Sequence, residues 1–92
     1  MKLHHIREFL VLSQYKNYNV AAKHLFMSQP TLSRHIKEME EELGVSLFDR
    51  STRRVELTEC GVFLVPYAKR IVSAENQYLE GIAARRKNAE RD

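Results

Sequence analysis

Cysteine, glycine and long apolar runs are scarce in this chain, and each scarcity removes a class of function. Cys60 is the only cysteine among the 92 residues, so neither an internal disulfide nor a multi-cysteine zinc site can form. It reads most simply as a small apolar residue near a helix start. Gly44, Gly61 and Gly81 lie far apart and build no glycine-rich phosphate loop. No stretch approaches the roughly 20 consecutive apolar residues that cross a bilayer. Met1-Lys2-Leu3-His4-His5 lacks the apolar run of a secretory signal, so a cytoplasmic protein without a membrane partner is expected. There is no internal repeat, low-complexity run or flexible linker. His4, His5, His24 and His35 are scattered, with no HExxH or other ligand spacing along the chain. The carboxylates between Glu38 and Glu42 read as a solvated helix face. No catalytic residue, metal or cofactor is expected.

What is present describes one small globular domain. Hydrophobic residues make up 43% and charged residues 29%, which suits a folded chain rather than a disordered one. So short a chain buries a modest core, and dimerisation is a natural further source of stability. The net charge of +3 and pI near 9.2 favour a polyanionic partner only mildly; the distribution says more. Residues 1–27 carry Lys2, Arg7, Lys16 and Lys23 against Glu8 alone. Residues 28–44 set Arg34 and Lys37 against Glu38, Glu40, Glu41 and Glu42, after which come Arg50, Arg53 and Arg54. Positive charge is concentrated and interrupted by an acidic block.

Periodicity predicts a mostly α fold with one small hairpin. Leu3, Ile6, Phe9, Leu10 and Ser13 make residues 3–16 an amphipathic helix, broken by Asn17-Tyr18-Asn19. Asn19 suits the N-cap of a short helix through Val20, Ala21, Ala22 and Leu25. Phe26-Met27-Ser28 then separates it from a third helix that Ser28 can cap and whose first turn tolerates Pro30. Leu32, Ile36, Met39 and Leu43 form its apolar stripe, of which Leu32, Ile36 and Met39 are expected to pack against Phe9, Ala22 and Leu25, and Gly44 ends it. Between Val45 and Thr58 the period changes: Val45, Leu47, Val55 and Leu57 alternate with polar residues around Arg50-Ser51-Thr52-Arg53, as in a β-hairpin, or wing. Thr58 caps a long final helix. Within it Leu64, Ile71 and Tyr78 are spaced by seven with Tyr67 and Ala74 between them, a seam fit to face a second helix. Pro66 should bend that helix.

A helix, a short turn and a second helix with a polar first turn can place that second helix in the DNA major groove. The residue types suit the task. Gln29 can pair bidentately with adenine and Arg34 with guanine, while Thr31 and Ser33 can bond phosphate or base. Exposed amides at the helix start add an anion site. The acidic block from Glu38 onward repels phosphate, which leaves only the first two turns to approach DNA. Any helical hairpin has a polar outer face, so the arginines of the wing, which can enter a minor groove, add needed weight. Arg50 is open to two readings, DNA contact or a structural pair with an acidic neighbour. A winged protein-interaction module with no nucleic-acid role is the competing reading.

The residues Tyr18-Asn19-Val20-Ala21-Ala22, Leu25, Ser28-Gln29-Pro30-Thr31-Leu32-Ser33, Ile36, Glu40, Leu43-Gly44, Leu47-Phe48-Asp49-Arg50, Arg54, Val55, Leu57-Thr58 and Gly61 together resemble the LysR-type family of bacterial regulators. The likeness covers about residues 3–70. It implies a winged helix-turn-helix over residues 1–58 and a linker, or dimerisation, helix over residues 59–92. It implies double-stranded DNA as partner, with contacts from Gln29, Pro30, Thr31, Ser33 and Arg34 and from Arg53 in the wing, and a homodimer along Leu64, Tyr67, Ile71, Ala74 and Tyr78. Full-length members are commonly tetramers and continue into a domain that binds a small-molecule effector, which has no counterpart in these residues. The departures are Tyr18 for phenylalanine, Asn19 for serine or threonine, Met39 for leucine and Cys60 for alanine. Molybdate-responsive regulators carry a similar winged domain and are the alternative family.

Overall fold

The computed structural model describes residues 1–51 and 54–90, leaving aside the side chain of Glu90. Its elements are α1 (Leu3–Tyr15), α2 (Tyr18–His24), α3 (Gln29–Leu43), β1 (Phe48–Asp49), β2 (Glu56–Leu57) and α4 (Glu59–Glu90). This is the mostly α winged helix-turn-helix expected, with a two-stranded antiparallel hairpin and a long last helix.

Local chemistry sets each boundary. Lys16 takes a left-handed φ of 55° and its amide donates back to the Leu12 carbonyl at 2.8 Å, which closes α1. The chain therefore turns earlier than the sequence suggested, and Asn17 rather than Asn19 caps α2. The Asn17 side chain accepts from the Val20 amide at 3.0 Å, while Asn19 lies exposed within the helix. Ser28 caps α3 as expected, accepting from the Thr31 amide at 3.2 Å. At the far end of α3 Gly44 adopts φ 74° and its amide reaches the Glu40 carbonyl at 2.8 Å, a conformation that costs a residue with a Cβ about 1–2 kcal/mol.

The core lies where α1 meets α2, α3 and α4. Phe9, Leu12, Leu32, Ile36, Met39, Leu47 and Phe48 are almost completely enclosed, with the Phe9 and Phe48 rings tilted at a centroid distance of 5.5 Å. Leu32, Ile36 and Met39 thus face inward as their spacing predicted, beside Phe9 and Ala22, with Leu25 half-buried at the margin. Truncating a side chain so enclosed typically costs about 2–5 kcal/mol. On α1 the buried line is Ile6, Phe9 and Leu12 together with His5 and Glu8, whereas Leu3 is exposed and Leu10 half-buried. Covered by three helices, α1 buries more than the narrow apolar stripe its pattern suggested.

The hairpin departs from simple alternation. Its strands are two residues each, pairing Phe48 with Leu57 and Asp49 with Glu56. Leu47 and Phe48 are both buried and Val45 is exposed. From there α4 starts under tight control: the Thr58 amide donates to the Leu47 carbonyl at 3.0 Å, its hydroxyl donates to the Ser46 carbonyl at 2.6 Å, and the same oxygen accepts from the Gly61 amide at 3.1 Å. A Cβ on Gly61 would overlap the Leu47 carbonyl oxygen, so only glycine lets the helix approach the hairpin this closely. Through Pro66 and buried Ala68, α4 continues as one helix of 32 residues, and the molecule measures 58 × 25 × 20 Å. No helix among the described residues is long and apolar enough to cross a membrane.

Candidate nucleic-acid interface

The outer side of α3 begins with Gln29 and Pro30 and continues through Ser33, Arg34 and Lys37. At 3.6 residues per turn these five fall within an arc of about 140°, opposite the line of Leu32, Ile36 and Met39. Pro30, Arg34 and Lys37 are exposed; Gln29, Thr31 and Ser33 are half-buried. The Ser28 hydroxyl donates to the Thr31 hydroxyl at 2.8 Å, so Thr31 is partly engaged in its own helix cap and Gln29, Ser33 and Arg34 hold the freer polar groups of the first two turns. The Phe26 ring is 97% exposed, in a turn residue with φ 54°.

The acidic block divides. Glu38 and Glu41 face solvent, and Glu42 pairs with the N-terminal amine at 2.6 Å. Glu40 instead turns inward, its side chain 11% exposed. One oxygen accepts from the amides of Leu47 at 2.7 Å and Phe48 at 3.2 Å, and the other accepts from Arg50 at 3.1 Å. The guanidinium of Arg50 also donates to the Tyr18 hydroxyl at 3.1 and 2.7 Å. Burial pushes the Tyr18 hydroxyl above its ordinary pKa, against the pull of Arg50. Arg50 is therefore placed as a strut between α2, α3 and the hairpin, paired with an acidic neighbour as one of its two readings expected. Arg54 is exposed, and Arg53 lies outside the described residues.

The histidines hold the chief surprise. His4, His5 and His35 come together around Glu8, a buried carboxylate on α1. No spacing rule along the chain could show this, because His35 stands 27 residues from Glu8. The only local trace was His4 four residues before Glu8, one helical turn apart. His24 stays outside, stacked on Tyr15 at 4.1 Å between ring centroids.

Along the proposed seam of α4, Ile71, Tyr67 and Tyr78 are 38%, 45% and 51% exposed, Leu64 is half-buried and Ala74 is exposed. Arg7 of α1 meets this helix at Glu75, with Nε to Oε1 at 2.6 Å, and at Asn76 at 2.8 Å.

Residues 3–62 match the model of the bacterial regulatory helix-turn-helix proteins of the LysR family. The chain belongs to the LysR family. Among its relatives, the uncharacterized HTH-type transcriptional regulator YbhD of Escherichia coli is 41% identical over 81 residues, which is 88% of this chain and 26% of that protein. The regulator BenM of Acinetobacter baylyi is 39% identical over 77 residues, 84% of this chain and 25% of that protein. This LysR-type chain thus spans about a quarter of the length of these two relatives. Among solved structures, the DNA-binding domain of BenM in complex with catB site 1 DNA superposes with a TM-score of 0.87 at 36% identity, over 91% of this chain and 93% of that one. The match settles the choice between LysR-type and molybdate-responsive regulators. The protein is a LysR-type helix-turn-helix DNA-binding domain, which is not an enzyme family.

The Glu40 contacts yield a prediction. Replacing Glu40 with alanine leaves two amides of buried residues without acceptors, each worth about 1–3 kcal/mol, whereas its pair with the 42% exposed Arg50 adds little because solvent screens it. Urea unfolding should show a loss of about 3 kcal/mol for Glu40→Ala and far less for Glu41→Ala. Equal losses would remove Glu40 from this structural role.

Proposed function

We propose that this domain reads operator DNA sequence-specifically as a homodimer and so controls transcription in the bacterial cytoplasm. The observation that carries the reading is the first two turns of α3. Gln29, Ser33 and Arg34 project from a helix whose N-terminal amides favour anions, and the opposite face of that helix is anchored in the core. Gln29 supplies the donor and acceptor pair that fits adenine, and Arg34 the planar fork that fits guanine. Pro30 offers an apolar contact, and Thr31 and Ser33 hydroxyls for phosphate or base. Arg53, between β1 and β2 in sequence, is our assignment to a minor groove. Glu38 and Glu41, further along the same helix, turn the later turns away from phosphate. The complex of the BenM DNA-binding domain with catB site 1 DNA supports this placement by likeness.

The dimer reading rests on α4. Leu64, Tyr67, Ile71, Ala74 and Tyr78 form an apolar seam that this protomer leaves largely uncovered, and a second α4 is the partner whose pattern matches it. On this reading residues 1–58 form the DNA-reading unit and residues 59–92 the linker helix. The whole protein adds a small-molecule effector domain and assembles further, as a tetramer.

Two measurements test the proposal. Replacing Ile71 with glutamate should yield monomers in analytical ultracentrifugation; an unchanged sedimentation coefficient would move the interface elsewhere. Selection from a randomised duplex library should give inverted half-sites spaced by about one helical turn, roughly 10 base pairs. Arg34→Ala should cost about 1–3 kcal/mol and relax one position per half-site, and Arg53→Ala should weaken narrow A·T-rich flanks most. Full sequence preference in Arg34→Ala would show that α3 does not read bases.

A further inference from the structure

The first turn of α1 places His4 and His5 side by side, and α3 crosses so that His35 stands against both. The ring centroids are 4.3 Å apart for His4 and His5, 5.4 Å for His4 and His35, and 4.8 Å for His5 and His35. One ring nitrogen of each lies within 4.8 Å of the others. In a tetrahedral zinc site, with nitrogens 2.0–2.1 Å from the metal, ligand nitrogens stand about 3.4 Å apart. The closest set of ring nitrogens exceeds that spacing by no more than roughly 1.4 Å, and the His4 side chain is 50% exposed.

The carboxylate beneath them has the form that metal sites use. Glu8 Oε2 meets His4 Nδ1 at 2.9 Å and Glu8 Oε1 meets His35 Nδ1 at 2.6 Å. A carboxylate only accepts, so each Nδ1 donates to Glu8 and Nε2 is the nitrogen left for a cation to take. A histidine held by a carboxylate in this way is oriented and made more basic as a ligand. These two rings already occupy both Glu8 oxygens, so the ion-pair network gives no reason for a third. Yet His5 is buried among them, its Nδ1 accepting from the Lys2 amide at 3.5 Å.

We propose that His4, His5 and His35 bind one divalent first-row transition cation of the zinc type, with Glu8 positioning two of the rings. Three protein ligands leave one tetrahedral position to water. The cation would clasp the start of α1 to the middle of α3, at the residue that follows Arg34. The inference rests on the fold and the rings, independently of how α3 meets DNA.

The test is a titration of the chain, free of any polyhistidine tag, with Co(II) and then Zn(II). One equivalent of Co(II) should produce the visible absorption of a tetrahedral site, and Zn(II) should displace it and raise the melting temperature. His4→Gln alters a half-exposed side chain and should weaken affinity at least about 10–100-fold, the scale on which even outer-shell partners act. The His4→Gln/His35→Gln double variant should abolish binding, and His24→Gln should leave it unchanged. Absence of Co(II) absorption with the wild-type chain, or binding retained in the double variant while circular dichroism shows it folded, would overturn the site. If the double variant is unfolded, His4→Gln alone decides: wild-type affinity there would overturn the proposal.

Discussion

The carboxylate of Glu40 accepts from two backbone amides at the start of the hairpin and from the guanidinium of Arg50, and through these bonds α3 fixes the hairpin's place. Leu47 and Phe48 enter the core because their amides, which would otherwise be buried without acceptors, end on Glu40. The Leu47 carbonyl then receives Thr58 and lies against Gly61, so the start of α4 follows from the same point. Arg50 continues the network to Tyr18 on α2. One acidic side chain thus ties together α3, the hairpin beside it and the entry to the long helix.

That arrangement explains how a weakly basic chain presents charge usefully. The inner side of α3 is spent on Leu32, Ile36 and Met39, and Glu40 is spent on the hairpin. The remaining outer side is positive and polar near its start and negative further on, which on the proposed reading brings the helix end-on, not lengthwise, to a polyanion. The anion-favouring N-terminus acts in the same direction. On α4, the opposite economy holds: aromatic and aliphatic side chains face outward along a seam that a single small domain has nothing to cover.

Much of this was legible along the chain. The phase of α3 followed from steps of four and three residues, its limits from Ser28 and Gly44, and the start of α4 from Thr58, because each depends on neighbours within a turn or two. What escaped depended on packing. Asn19 looked the better cap for α2 until the left-handed turn at Lys16 brought Asn17 into place. Glu40 was indistinguishable from the solvated glutamates around it, since its partners lie seven to ten residues away. Arg50 was ambiguous for the same reason. The histidine cluster needed the crossing of α1 and α3, which no spacing within either helix contains. Of the candidate contacts, the placement of Gln29, Pro30, Ser33 and Arg34 on the outer side of α3 followed from the helix phase, whereas the engagement of Thr31 with Ser28 did not.

The central claim is that the first two turns of α3 meet DNA and the later turns do not. Backbone amide shifts of the isotope-labelled domain, followed by nuclear magnetic resonance as a duplex carrying its selected half-site is added, examine this residue by residue. The account predicts large changes from Gln29 to Arg34, and small ones at Glu41, Glu42 and the end of α4. Changes concentrated at Glu41 and Glu42, with Gln29 to Arg34 undisturbed, would contradict it.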